Sequence, residues 1–241
     1  MVLILCEGTD RVAHWAAGCL RQRGLGADIV TGADLAAAGR LEHRVGRAGA
    51  SFELALAGGG RLSSRTVTGV LNRLPYLPAA CLRAIGGPDR DYAVQELYAL
   101  YLSWLHSLPG PQLNRPAPQG LCGNWRHPAS WTALASQAGL PSVPYRQSSQ
   151  DDPATLWQRI TVPDAATVFV VGARVVAHPA VPRQWDAACR DLARRAGTDL
   201  LGIDFAPGPD GQWRCVAASV MPDLMRGGEP VVDALAEVFR A

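Results

Sequence analysis

The first residues constrain the fold most. Val2-Leu3-Ile4-Leu5-Cys6 is an unbroken apolar run that ends in Glu7-Gly8-Thr9-Asp10, after which Val12, Trp15, Ala16, Cys19 and Leu20 recur at helical spacing. Thr9 or Asp10 can cap that helix, and Gly24 or Gly26 can end it before a second short strand over residues 27–30. Strand, helix and strand in this order predict a βαβ unit with parallel strands.

Further along, residues 34–39 read as a short helical piece, and residues 42–45, 51–56 and 66–71 as short strands between glycine turns, together one small open α/β sheet. Gly58-Gly59-Gly60-Arg61 lacks the Lys-Ser/Thr ending of a phosphate loop and precedes no clear helix, so it reads as a hairpin turn. The strongest helix covers residues 91–108, with Val94, Leu97, Tyr98, Tyr101, Leu102 and Leu105 as its apolar stripe and Pro109-Gly110-Pro111 as its stop. Residues 113–124, rich in Pro and Gly, form an extended linker, and residues 128–139 a helix ended by Gly139. The polar stretch 147–152 is expected to be mobile. Two β-branched runs, 167–171 and 174–177, suit a hairpin about Gly172-Ala173, and residues 184–196 an amphipathic helix. A second hairpin follows over 200–205 and 212–218, then a closing helix over 231–240.

Composition removes whole reaction classes. All 23 basic residues are arginine and the chain has no lysine. A Walker-type phosphate loop and a Schiff-base enzyme both need an ammonium that is not there. Net charge is only +2, with no long basic run, which argues against nucleic-acid and membrane-surface partners. The six cysteines form no CxxC pair and read as free thiols, and the five-residue apolar opening is too short for a signal peptide or a membrane span. The expected location is the cytoplasm.

Several pieces in order resemble one family. Leu108-Pro-Gly-Pro-Gln-Leu-Asn-Arg-Pro116, then Trp131 to Pro141 and Val143-Pro144, resemble the turn and helix that open the ligase half of ATP-grasp enzymes of the RimK-like, peptide-maturase branch. Thr167-Val-Phe-Val-Val-Gly-Ala-Arg-Val-Val-Ala177 resembles that family's "VVG" hairpin. Leu201-Gly-Ile-Asp-Phe205 with Asp210-Gly-Gln-Trp213 resembles the strand pair that presents metal ligands, and Val231-Val-Asp-Ala-Leu-Ala236 the closing helix. The resemblance implies an α/β fold: a small Rossmann-like, pre-ATP-grasp N-terminal domain over residues 1–112, and a reduced ATP-grasp-like α+β half over 113–241.

The departures decide the functional expectation. Asp204 matches the family's first magnesium ligand, but Ala217 stands where its Glu belongs and Ser219 where its Asn belongs. A hard cation needs carboxylate oxygens, and a methyl group has none. Between the opening helix and the hairpin, the family inserts a subdomain carrying the adenine-contacting strand and phosphate-contacting lysines. Here only residues 146–166 fill that place. The expected protein is therefore a non-catalytic ATP-grasp-like binding or partner subunit, possessing no catalytic residues and needing no cofactor, in peptide modification or amino-acid ligation. Two alternatives stay open: an ATP- and magnesium-dependent carboxylate-amine ligase with an atypical nucleotide site, and a small-molecule binder using the N-terminal cleft.

Individual residues carry weighed readings. Val67-Thr-Gly-Val-Leu-Asn-Arg-Leu74 resembles the family's strand beside the substrate cleft, so Arg73 with Asn72 is the first choice for an acidic or peptide ligand, against simple pairing of Arg73 with a local Asp. Arg65, Arg115 and Arg126 are further candidates. Glu7 and Thr9 follow the first strand, where open α/β sheets bind ligands. Asp204 is either a relic metal ligand or a cap on backbone amides. His14 falls four residues after Asp10 and can pair with it. Cys122, Asn124 and His127 share a loop that could hold a thiol and a base. Trp125, Trp131 and Trp157 read as interface or core, and exposure among them would point to a peptide groove. A missing lid would uncover an apolar floor, which predicts a homodimer or a stable protein or peptide complex.

Overall fold

In a computed structural model that describes residues 1–82, 86–145, 165–208 and 210–241, β1 (Val2–Cys6) lies at the centre of a parallel sheet. All five of its residues are buried, as a strand covered on both faces requires. The helix α1 (Arg11–Gln22) turns Ala13, Ala16, Ala17, Cys19 and Leu20 inward and returns the chain to β2 (Ala27–Thr31), parallel to β1. On the other side of β1 runs β6 (Gly69–Arg73), also parallel, and beyond it the two-residue β7 (Gln112–Leu113), giving the order β2-β1-β6-β7.

The single open sheet expected for this half is two sheets. Residues β3 (Arg40–Gly46), β4 (Gly49–Ala55) and β5 (Arg61–Ser63) form a separate antiparallel sheet, after the short helix α2 (Gly32–Ala36). The reason is connection length. The turns after Gly46 and at Gly58-Gly59-Gly60 are too short for the crossover a parallel pair needs, so these strands can only fold back as hairpins. The helix α3 (Pro88–His106) supplies the core shared by these sheets. Trp104, fully buried, meets Phe52 and Tyr101 edge to face at 5.7 and 5.8 Å.

By contacts the chain divides into one unit of Met1–Gly123 with Leu235–Ala241, and a second of Asn124–Ala234. The second unit is an antiparallel sheet in the order β11-β10-β8-β9, made by β8 (Ala166–Val171), β9 (Arg174–Val176), β10 (Leu200–Pro207) and β11 (Trp213–Ser219). Side chains alternate between its faces. Val168 and Val170 of β8 and Leu201, Ile203 and Phe205 of β10 share a core with Trp131 of α4 (Pro128–Gln137) and Leu192 of α5 (Asp186–Ala196). The intervening residues, Thr167, Phe169, Gly202 and Asp204, belong to the opposite face. A 3-10 turn (Leu224–Gly227) follows β11 and leads into α6 (Gly228–Arg240). A Cβ on Gly202 would fall 2.5 Å from Pro222 Cβ, and one on Gly227 would fall 2.8 Å from Phe169 Cε2, so the segment after β11 lies close upon that face.

The polar stretch 147–152, Trp157 and nearly all of the segment standing in place of a nucleotide lid lie outside the described residues. No helix among the described residues is long and apolar enough to cross a membrane.

Candidate functional site

In the first unit, the ends of β1 and β6 come together in register, Cys6 opposite Arg73. Because β1 pairs with β2 on one side and β6 on the other, its carboxyl end is the position where open parallel sheets form a crevice. Asp10 is tied to both neighbouring elements, α1 and β6. Its Oδ1 accepts the backbone N–H groups of Val12 at 3.0 Å and Ala13 at 3.1 Å, which makes Asp10, and not Thr9, the cap of α1. Its Oδ2 accepts from Arg73 Nε at 2.8 Å, with the two side chains 11% and 5% exposed. The local pairing weighed against a ligand role for Arg73 is thus what forms.

Asn72 is fully buried beside it. Its amide donates to Leu121 O at 2.7 Å and its Oδ1 accepts from Leu74 N at 3.2 Å, so it ties the proline-rich segment to the sheet. Glu7 is half-buried and Thr9 is exposed at the mouth. Gly32 leaves room for the Glu7 carboxylate: a Cβ there would lie 3.1 Å from Oε1. Burial, with the Asp10 charge second, pushes the Cys6 thiol up to about 11, which keeps it neutral at physiological pH. His14 does not pair with the Asp10 side chain; its Nε2 lies 3.2 Å from Gly8 O.

The second unit holds the other predicted residue. Asp204 stands opposite Thr167 on β8 and opposite Ala217 on β11, and Ser219 stands opposite Gly202. Thr167 Oγ1 donates to Asp204 Oδ1 at 2.6 Å. The cation beside Asp204 is Arg226, from the 3-10 turn, whose Nη1 is 3.6 Å from Oδ1 and whose Nη2 donates to Ala165 O. These groups do not fit a magnesium ion. Ala217 offers no oxygen, and the Ser219 hydroxyl accepts the Met221 N–H at 3.1 Å. Asp204 and Arg226 together carry no net charge. A unit charge about 4 Å away contributes about 1 kcal/mol in water and about 4 kcal/mol at an effective dielectric of 20. The pair is 32% and 42% exposed, between those limits, and the repulsion of a dication by Arg226 roughly cancels its attraction to Asp204. Among the described residues no group of three His, Cys, Asp or Glu side chains could hold a metal.

Thr167 and Arg226 also line a cavity of about 320 Å³ with Arg174, His178, Arg183 and apolar Phe169. Arg226 escaped the sequence reading, because nothing in Leu224-Met-Arg-Gly227 marks it; only the fold brings it to Asp204. The remaining candidates do not assemble a site. Cys122 is buried and its thiol is pushed up to about 11 by burial, and His127 Nδ1 accepts the Ala129 N–H at 3.3 Å as the cap of α4. Asn124 Nδ2 and Arg126 Nη2 both donate to Ala196 O, at 3.4 and 3.2 Å, and Arg126 lies 6.0 Å from the Trp131 ring centroid. Arg65 and Arg115 are exposed. Trp131 is core, whereas Trp125 is 68% exposed.

No family model matches the sequence, and no curated protein matches it. Solved structures do match in shape. The macrocyclase MdnC of Microcystis aeruginosa, bound with precursor peptide MdnA, is similar with a TM-score of 0.69 at 13% identity over 99% of each chain. A RiPP-associated ATP-grasp ligase of Chryseobacterium gregarium, in complex with ADP and a leader and core peptide, gives 0.70 at 10% identity over 99% of this chain and 96% of that one. The ATP-grasp ligase PsnB, complexed with a precursor variant, Mg and ADP, gives 0.64 at 16% identity over 98% and 97%. The parallel sheet of the first unit, the antiparallel sheet of the second and this likeness along nearly the whole chain give one conclusion: the fold is that of the ATP-grasp ligases.

Proposed function

We propose that this chain is a non-catalytic ATP-grasp-like protein that serves as a binding or partner subunit in peptide modification. The observation that carries the reading is Ala217. It stands across from Asp204 where the resemblance places a second magnesium ligand, and the Arg226 guanidinium lies 3.6 Å from Asp204 Oδ1. The absence of lysine and the short segment over residues 146–166 support it, as does the peptide or precursor bound in the three similar structures. Glu7 and Thr9 at the mouth of the parallel sheet are the proposed ligand contacts of the first unit, with Arg73 and Asn72 shaping the crevice from beneath. A homodimer or a stable complex would cover the floor left by a reduced lid. The test is an assay of the purified protein for ADP release with magnesium and acidic peptides. No release above buffer is expected, and steady turnover would end the reading.

One observation favours a second reading, a carboxylate-amine ligase using ATP and magnesium with Arg in place of Lys: the basic cavity beside Asp204. The same assay separates the two. A third reading, a small-molecule binder at the N-terminal crevice, would show as ligand density beyond Gly8 and none near Asp204.

A further inference from the structure

We infer that Arg226 does permanently what a divalent ion would do at this centre, so that the adjoining cavity is an oxyanion site working without metal. The inference deepens the proposed non-catalytic function and rests on it. Three observations, all within the second unit, carry it. The first is the Thr167–Asp204–Arg226 chain. The threonine hydroxyl and the guanidinium both face Asp204 Oδ1, at 2.6 and 3.6 Å, and the guanidinium also donates to the backbone carbonyl of Ala165. A guanidinium is therefore built into the position, its charge balanced by Asp204 and its N–H groups oriented without an ion.

The second is the cavity. It has about 320 Å³, and its lining includes Arg174, His178, Arg183 and Arg226 and, among the described residues, no acidic one. His178 Nδ1 accepts the Ala180 N–H at 3.2 Å, which in the neutral ring leaves the proton on Nε2 as a donor. Arg183 is held near Asp186 at 3.6 Å yet stays 73% exposed. Guanidinium groups are suited to carboxylate and phosphate oxygens because their N–H groups are fixed in a planar fork. The contacts of Arg226 to Ala165 and Asp204 leave further N–H groups of that fork for a ligand.

The third is apolar surface. Phe169, Ala177 and Pro230 share the lining with the basic groups. A small oxyanion on a short carbon stem matches this mixture of donors and apolar wall. Two sources carry that chemistry, a side-chain carboxylate of a peptide and a phosphate group, and the probes below distinguish them.

The probes are N-acetylglutamate amide and inorganic phosphate, each titrated into the whole protein by calorimetry or by observing amide shifts, once in EDTA and once in excess magnesium. Saturable binding of at least one probe is expected, equal in both buffers. It should weaken at least tenfold in Arg226→Met and also in Arg183→Gln, an exposed position where folding is not in question. Preference for glutamate amide assigns a peptide carboxylate, and preference for phosphate assigns a phosphate group. Binding of neither probe, binding that requires magnesium, or binding unchanged in Arg226→Met would overturn the inference. A parallel titration with Mn²⁺, read by the signal of the free ion, should show no binding at micromolar concentration in the wild type. Micromolar Mn²⁺ binding abolished by Asp204→Asn would overturn it as well. In the triple variant Ala217→Glu, Ser219→Asn and Arg226→Ala, Mn²⁺ binding should appear. ATP turnover by the wild type would remove the non-catalytic reading independently of these results, so the two can fail separately.

Discussion

Replacing Asp10 should damage the first unit in two separable parts. Asp10 caps α1 through two backbone N–H groups and pairs with Arg73 at 2.8 Å, where both side chains are close to fully buried. Losing a carboxylate cap costs about 1 kcal/mol. Removing one partner of a buried ion pair costs about 3–5 kcal/mol, since the other charge is left in place without compensation. Asp10→Ala loses both, and the total is expected to be about 4–6 kcal/mol. That is a large share of the roughly 5–15 kcal/mol that holds a typical domain together. Asp10→Asn keeps the cap, because asparagine caps about as well as aspartate, and should cost about 3 kcal/mol. In the double variant Asp10→Asn with Arg73→Met the guanidinium that faced Asp10 is gone as well. Because buried pairs replaced by apolar groups are often near neutral, most of the ionic part should return. Urea unfolding of the wild type, Asp10→Ala, Asp10→Asn, Arg73→Met and the double variant, followed by far-UV dichroism, reads these differences as midpoint shifts at constant slope. In thermal melts Asp10→Ala should fall by about 10–20 °C, at about 2–4 °C per kcal/mol. If Asp10→Asn were as damaging as Asp10→Ala, or if the double variant were as unstable as the sum of the single ones, the coupling argued here would be wrong.

Further outcomes follow from the same structure. At pH 8 a bulky disulfide reagent should modify Cys81 quickly and the other five thiols only at the rate of unfolding, since Cys81 alone is exposed. The buried thiols also set an alkaline limit. Cys6 and Cys122 are raised to about 11, and Cys189 and Cys215 to about 12, so the folded state keeps protons that the unfolded chain releases from about pH 9. Their contribution is whole below that pH and is lost as pH rises toward 11–12, and a melting temperature that stayed level from pH 8.5 to 10.5 would contradict it. Gly110→Ala should cost at least about 2 kcal/mol, because the new Cβ would meet Thr68 O at 1.9 Å at a residue with φ of 73°; chemical denaturation would show it. Light scattering at high concentration should give a mass above that of one chain, and a monodisperse monomer would count against self-association.

Periodicity made some elements readable and left others hidden. The β1–α1–β2 opening was legible because a parallel strand buried on both faces writes itself as an unbroken apolar run. The β8–β9 hairpin was legible from its β-branched runs, and the turn at Gly58-Gly59-Gly60 from its glycines. The separation of β3, β4 and β5 into their own sheet was not. Strand signals say nothing of partners, and only the short turns carried the antiparallel answer. The strand β7 is two residues long in a proline-rich segment and has no pattern of its own; pairing with β6 makes it a strand. Trp104, absent from the apolar stripe read for α3, is its most buried large side chain because β4 brings Phe52 onto it. At the candidate sites the sequence located Asp204, Ala217 and Ser219, and β10–β11 register sets them on neighbouring positions. The Arg226 partner was invisible, being 22 residues from Asp204 with no motif around it. Arg73 was visible, but not the depth of its pairing with Asp10, which depends on two parallel strands ending together.

The most direct test of the central claim is calorimetric titration of the whole protein with ATP, in magnesium and again in EDTA. The account predicts no magnesium-dependent heat from a protein shown to be folded, because one carboxylate paired with a guanidinium gives the ion no site. Micromolar binding that appears only with magnesium would contradict it and restore the ligase reading.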